Sequence, residues 1–467
     1  MGLGSGIEIA NRFATYVGEL TKVIGHADRE GPLRDYCSGL LTAEGRRSVE
    51  PMAAVTAPTH VSAQHQRLLH FVANATWSDE QMLAKVRELV VPSMTHRGPI
   101  EAWIIDDTSF PKKGRHSVGV HHQYCGQLGK QANCQVAVTL SIANHHASLP
   151  IAYRLYLPRE WVDNTSRRAK AHIPRAIRFK TKPQIALEQI RAALLASVAP
   201  GVVLMDASYG SNSALRQAIT GLGLSYVAAI VSTVKVRPVR KDDAKPPRVS
   251  VEDLARSLPK HTWRTITWRE GTNKRLQSRF ACLRVRVAPI RGEARFAEET
   301  LLIEWPKGEA APTKFWLATV EGNISFRGLV DLAKLRWCIE RDYQDLKQEI
   351  GLGHYEGRGW PGFHHHGTLS IAAYDLRTGE DSPLRTTFRR FNRKIYRSQR
   401  LSSPRRPQSG RSATSPTRSP RSIAYWRSRL QRPFSDASVA PVAFRRTSDG
   451  IYDAVVLAKR NPPSSSC

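Results

Sequence analysis

Residues 325–351 read SFRGLVDLAKLRWCIERDYQDLKQEIG. Leu332, Leu335, Ile339, Tyr343, Leu346 and Ile350 recur at steps of three and four, which predicts an amphipathic helix with one buried face. Ser325 is placed to cap its start and Gly351 to close its end. At about 100° per residue, Arg336, Glu340 and Lys347 line one border of the buried stripe. Such a trio suits a surface salt-bridge ladder as well as a site. Two other stretches decide between these readings.

Each is an apolar strand that ends on acid. Trp103-Ile104-Ile105 runs into Asp106 and Asp107, and VVLM runs into Asp206. Burying carboxylate charge costs several kcal/mol unless something compensates it. A divalent cation held by hard oxygen ligands is one compensator. Thr108, Ser109, Lys112, Lys113 and Arg115 follow the first pair and suit a phosphate. Ligands in open α/β sheets collect at strand ends, so one acid of the first pair and Asp206 are expected side by side on neighbouring strands.

The rest of the chain supplies the frame. Residues 7–24 and 63–73 have helical periodicity. Ser78 and Gln81 predict a capped third helix, ended by Pro92. These helices suit either a plain bundle or a helix-turn-helix that docks on DNA. A strand meander follows Asp107, and a helix over 182–197 precedes the Asp206 strand. Strand-like runs then fill about 234–312, opening on KVRPVRKDDAKPPR, before FWLATV returns the chain to the first-quoted helix. Trp263, Trp268, Trp305 and Trp316 offer platforms for bases, although interior packing is the expectation for each.

With 70 Lys and Arg against 40 Asp and Glu, the formal net charge is +30. So large a surplus calls for a polyanion, and nucleic acid leads. No apolar run has the length of a membrane span, and the opening residues lack a signal-peptide pattern. Six scattered cysteines without CxxC pairs point to a reducing compartment rather than a disulfide scaffold. His121, His122, Cys125, Cys134, His145 and His146 have spacing too loose for a zinc site. His364–His366 reads as a surface loop.

The order strand-Asp, meander, helix, strand-Asp, β segment, helix-Glu carries WIIDDTSFPKKG, VVLMDASYG and RWCIERDYQDLKQEIGLGHYEGR. In this the chain resembles the DDE transposases of bacterial insertion sequences, in the branch with a Tyr-x2-Arg-x3-Glu-x6-Lys signature. Arg336, Glu340 and Lys347 match that signature; Ala333 stands where the family has Tyr. Asp206 matches the second Asp. Asp107, directly before Thr108, matches the first, with Asp106 as the fallback.

The resemblance implies an α/β, RNase H-like core of a mixed sheet flanked by helices. The core would comprise 98–232 and 313–376, with a β-rich insertion at 233–312 and a helical DNA-binding region at 1–97. It further implies two Mg²⁺ ions (Mn²⁺ as substitute), held by Asp107, Asp206 and Glu340. Arg336, Lys347, Lys112 and Lys113 would contact DNA. The partners implied are double-stranded DNA, as terminal inverted repeats and target, and a second copy of the chain in a homodimer. The implied location is the bacterial cytoplasm at the nucleoid, with no membrane partner. An inactive relic that still binds DNA, or a basic structural DNA-binding protein, are the competing readings.

Residues 377–467 differ in character. They hold 20 Lys and Arg against 5 Asp and Glu, half of the net charge, amid Ser and Pro. This composition predicts a disordered basic tail.

Overall fold

The computed structural model describes residues 3–239, 246–270, 275–287, 298–320, 324–378, 442–446 and 452–456. Five helices come first: α1 (Leu3–Thr21), α2 (Glu30–Thr42), α3 (Val49–Thr56), α4 (Val61–Ala73) and α5 (Asp79–His96). Ser78 caps α5, its side chain accepting from Gln81 N–H. Pro92 was expected to end this helix, yet it lies inside it. Hydroxyls take up carbonyls around the proline: Ser93 donates to Val90 and Thr95 to Val91 and Pro92.

The sheet starts with β1 (Ala102–Pro111), β2 (His121–Cys125), β3 (Lys130–Ala143) and β4 (Ser148–Leu155). Short helices α6 (Arg159–Val162) and α7 (Thr165–Lys170) lead to α8 (Lys182–Leu195) and β5 (Val202–Met205). Then come α9 (Ala207–Gly210), α10 (Ser213–Gly221) and β6 (Tyr226–Ile230). Strands β3 and β1 are antiparallel, whereas β1, β5 and β6 are parallel. Ile105 stands opposite Met205 in the β1–β5 register, so Asp106 and Asp206 are the next residues on two adjacent strands. Neighbouring strands lie about 4.8 Å apart.

The β-rich stretch contributes β7 (Lys235–Pro238), β8 (Val249–Ser250), α11 (Val251–Ser257), β9 (Arg264–Glu270), β10 (Arg275–Val287) and β11 (Glu298–Trp305). It does not form a sheet of its own. Through β12 (Lys314–Ala318) it extends the same sheet, in the order β3-β1-β5-β6-β12-β11-β10-β7-β8. The tryptophans here are packed: Trp263 meets Trp305 edge-on at 5.4 Å, and Trp268 lies under the Lys334 ammonium at 4.3 Å. That ammonium also binds Glu304 at 2.6 Å, fastening the first-quoted helix to β11.

The quoted helix comprises α12 (Phe326–Leu335), α13 (Trp337–Asp345) and a π-helical turn, Leu346–Ile350. Ser325 caps it and Gly351, at φ 84°, ends it. A side chain at Gly351 would strike Arg47 and His354 as well as straining the backbone. Ile339, Tyr343, Leu346 and Ile350 are buried, while Leu332 and Leu335 are half-buried.

Helix α14 (Trp360–Thr378) runs between β4 and the N-terminal helices α2, α4 and α5, which makes it the shared core of both regions. Consequently His364–His366 is not a surface loop. The three rings are buried: His365 faces the carbonyls of Val72 and Trp77, and His366 bonds the Tyr36 hydroxyl and the Gly351 carbonyl. Burial lowers the pKa of each.

No helix among the described residues is long and apolar enough to cross a membrane. Within the basic tail, β13 (Val442–Arg446) and β14 (Tyr452–Val456) pair antiparallel where no regular structure was expected. Both carry short apolar runs, Val-Ala-Phe and Ala-Val-Val. The remainder of the tail lies outside the described residues.

Candidate active site

The two acids of β1 point to opposite faces of the sheet, as successive strand residues must. Phe110, on the Asp106 side, packs edge-on against Phe363 of α14. Trp103, on the Asp107 side, donates to the Ala199 carbonyl beyond α8. The helices thus cover different faces, and each acid meets different partners.

Asp106 faces the glutamate helix. Arg336 Nη1 donates to its Oδ2 at 2.7 Å, and Arg336 Nη2 donates to Glu340 Oε1 at 3.1 Å. One guanidinium therefore links an acid of β1 to an acid of α13. It sits at the junction of α12 and α13, where the helix breaks for one residue. Burial pushes the Asp106 carboxyl up to about 6, although Arg336 and the Asp107 amide pull it down; Asp206 and Asp107 add to the rise. Arg336 is held above its ordinary value. Burial works against its charge, but Asp106, Glu340 and Asp206 outweigh it.

Asp206 ends β5 and caps α9. Its Oδ1 accepts from the amides of Ser208 and Tyr209 and from the Ser208 hydroxyl at 2.7 Å. The cap holds its carboxylate fixed at the strand end.

Asp107 has other company. Lys182, in the first turn of α8, donates to its Oδ2 at 2.6 Å, and the Tyr209 hydroxyl donates to its Oδ1. Asp107 is the acid that the motif match favoured; Asp106, the fallback, is the one that shares Arg336 with Glu340. Adjacent acids leave the choice open in a sequence, because only the face covered by the glutamate helix decides it. Lys182 and Tyr209 were missed. Their one signal was position: Lys182 opens the helix before β5, and Tyr209 stands three residues after Asp206.

The four cations expected at DNA are placed differently. Lys347 donates to the Ser109 carbonyl at 2.9 Å and lies over the Phe110 ring. Burial lowers its pKa to about 8, with Cys125 and Asp106 opposing. Lys112 donates to the Tyr355 carbonyl at 2.8 Å, so it fastens β1 to the loop after the glutamate helix. Lys113 is exposed. Among the described residues no three acid, histidine or cysteine side chains are grouped as a ready-made metal site. Glu340 is 65% exposed and turned toward Arg336. Hence the acids of three elements are gathered along one edge but not closed around a point.

A family profile described as DDE superfamily endonuclease matches residues 19–275. The chain belongs to the DDE superfamily endonucleases. The matched stretch of this endonuclease contains Asp106, Asp107 and Asp206 and stops before the glutamate helix. The enzyme is 27% identical over 296 residues to a protein of Microchaete diplosiphon described as a probable transposase for insertion sequence element IS701. The alignment covers 62% of this chain and 69% of that protein. Among solved structures it is similar to the piggyBac transposase synaptic complex with hairpin DNA. That likeness has a TM-score of 0.40 at 11% identity, over 79% of this chain and 71% of the other, too loose to assign residues.

Proposed function

We propose that this endonuclease is an insertion-sequence transposase that cuts DNA at the element's ends and joins the 3′-hydroxyls to target DNA. One observation carries the reading: Arg336 joins Asp106 of β1 to Glu340 of α13, beside Asp206 of β5. Likeness to the probable IS701 transposase supports it. Antiparallel β4-β3-β1 followed by parallel β5 and β6 supports an RNase H-like core.

The acids proposed are Asp106, Asp206 and Glu340, which together would hold two Mg²⁺ ions, or Mn²⁺. They fit that role because they are hard oxygen donors and because Asp106 is half-buried with its charge only partly compensated. When bound, the ions supply nucleophile activation and leaving-group stabilisation in an in-line displacement at phosphorus. Arg336 provides part of the compensating charge here and has a second donor for a phosphate of the scissile strand. Lys347 adds a cation one helical segment further on, and Lys113 one on the open side of β1. Asp107 keeps Tyr209 and Lys182 in place instead of holding metal.

The helices of residues 1–97 are proposed as the part that recognises the terminal inverted repeats. The active form proposed is a homodimer on DNA, at the nucleoid in the cytoplasm. A cleavage assay on element-end DNA with Mg²⁺ tests the reading. The wild-type chain should cut, whereas Asp206→Ala and Glu340→Ala should bind without cutting. Cleavage by both variants at the wild-type rate would remove the proposed site.

A further inference from the structure

Three segments far apart in the sequence meet in one basic shelf, most of whose outer cations the cleavage chemistry does not use. They are the turn after β1 (residues 112–120), the stretch 159–182 with α6 and α7, and the loop 351–359 after the glutamate helix. Hydrogen bonds to backbone lock them together. Val118 N–H donates to the Arg358 carbonyl at 3.0 Å, and Trp360 N–H to the Ala171 carbonyl at 2.8 Å. Arg167 Nη2 donates to the Arg115 carbonyl at 3.1 Å. Trp161 is buried beneath; its indole donates to the Val120 carbonyl at 2.9 Å, and the Arg167 guanidinium lies 3.7 Å over its ring. The shelf therefore has a fixed base.

Its outer side is cationic. Residues 159–182 hold eight Lys and Arg against Glu160 and Asp163. Arg115, Lys170, Arg175 and Arg358 are exposed and take part in no ion pair among the described residues. Like charges held together without counterions repel one another, and nothing in the packing requires these four. The inner edge of the shelf is Lys182, bound to Asp107, so the surface begins beside the acids.

We infer that the shelf holds the sugar-phosphate backbone of the target duplex, an inference that rests on the transposase reading above. Ammonium and guanidinium groups grip phosphates, and phosphate contacts carry no sequence information. The Oδ1 of Asn164, an acceptor that could read bases, is taken up in capping α7, where it accepts from Arg167 N–H at 2.8 Å. A surface made chiefly of cations for phosphates suits the one DNA partner whose sequence changes from event to event. The element's ends, by contrast, need base readout.

The test uses the full chain and the variant R115A/K170A/R175A/R358A, whose fold is checked by circular dichroism and melting. Three measurements follow: binding to a random-sequence duplex across a salt series, Mg²⁺-dependent cleavage of element-end DNA, and transfer of a pre-cut end into plasmid. Binding to the random duplex should weaken at least about tenfold. The slope of log affinity against log salt should fall by about 3 to 4, as expected for the loss of four phosphate contacts. Strand transfer should drop in parallel, with end cleavage within about twofold of wild type. An unchanged salt slope would overturn the shelf as a DNA surface. Equal losses in end cleavage and transfer would assign it to the element's end and overturn the target assignment. If the wild-type chain itself fails to cut, the transposase reading fails, while the salt series still reports on the shelf.

Discussion

The two faces of β1 treat neighbouring carboxylates in opposite ways. On one, Asp107 meets a lysine and a tyrosine hydroxyl and is satisfied within the fold. On the other, Asp106 is half-buried against one shared guanidinium, and its pKa rises to about 6. A carboxylate fully matched by its own protein has little to offer a cation. One whose charge is partly compensated is stabilised when a cation arrives. On this contrast rests the proposal that Asp106, of two residues that the sequence presents as a pair, is the metal ligand.

The largest expected effect is on cleavage. Asp106→Asn should remove several kcal/mol of transition-state stabilisation, a loss on the order of 10³-fold or more in rate. Asp107→Asn, measured in the same assay on the same DNA, should stay within about tenfold of wild type. The reverse ranking would invert the comparison.

Stability should separate the two faces next. Arg336 makes charge-assisted hydrogen bonds to both Asp106 and Glu340, so Arg336→Ala should lower the unfolding free energy by about 2–4 kcal/mol. Urea denaturation reads it, and adding Asp106→Asn should recover part of the loss. Lys182→Ala removes a single ion pair of similar exposure and should cost about 1 kcal/mol or less.

Metal linkage gives a smaller signal. At a hundredfold excess over its dissociation constant, a bound ion stabilises by about 2.7 kcal/mol. Mg²⁺ should therefore raise the melting temperature of wild type and of Asp107→Asn, but not of Asp106→Asn.

The smallest effect concerns pH. Lys347 is pulled down to about 8 by burial, with Cys125 and Asp106 as the opposing groups. It is charged below that pH and loses its proton above it, so its hold on a phosphate fades as pH rises. In a pH–rate profile of cleavage, wild type should fall behind Lys347→Arg above about pH 8, by a few-fold at half a unit beyond. Identical profiles would mean that Lys347 acts only through its bond to Ser109.

Much of this arrangement was legible in the residues. The period of three and four gave the helix 325–351 with both its caps, and apolar runs gave the strands that deliver Asp106 and Asp206. What stayed hidden depends on partners distant in sequence. The face of Asp106 is set by α13, 230 positions away. The bond of Lys112 to the Tyr355 carbonyl was not legible, because that acceptor is a backbone group that no side-chain pattern announces. His364–His366 looked exposed because a polar triplet hides a buried helix whose acceptors come from α2, α4 and the loops beside them. The β stretch reads as an insertion, and only strand pairing reveals that it prolongs the core sheet.

The central claim is most directly tested by anomalous scattering from Mn²⁺ in crystals of the enzyme bound to element-end DNA. Peaks ligated by Asp106, Asp206 and Glu340 are expected, with Asp107 still bound to Lys182. Peaks ligated by Asp107, with Asp106 left on Arg336, would contradict it.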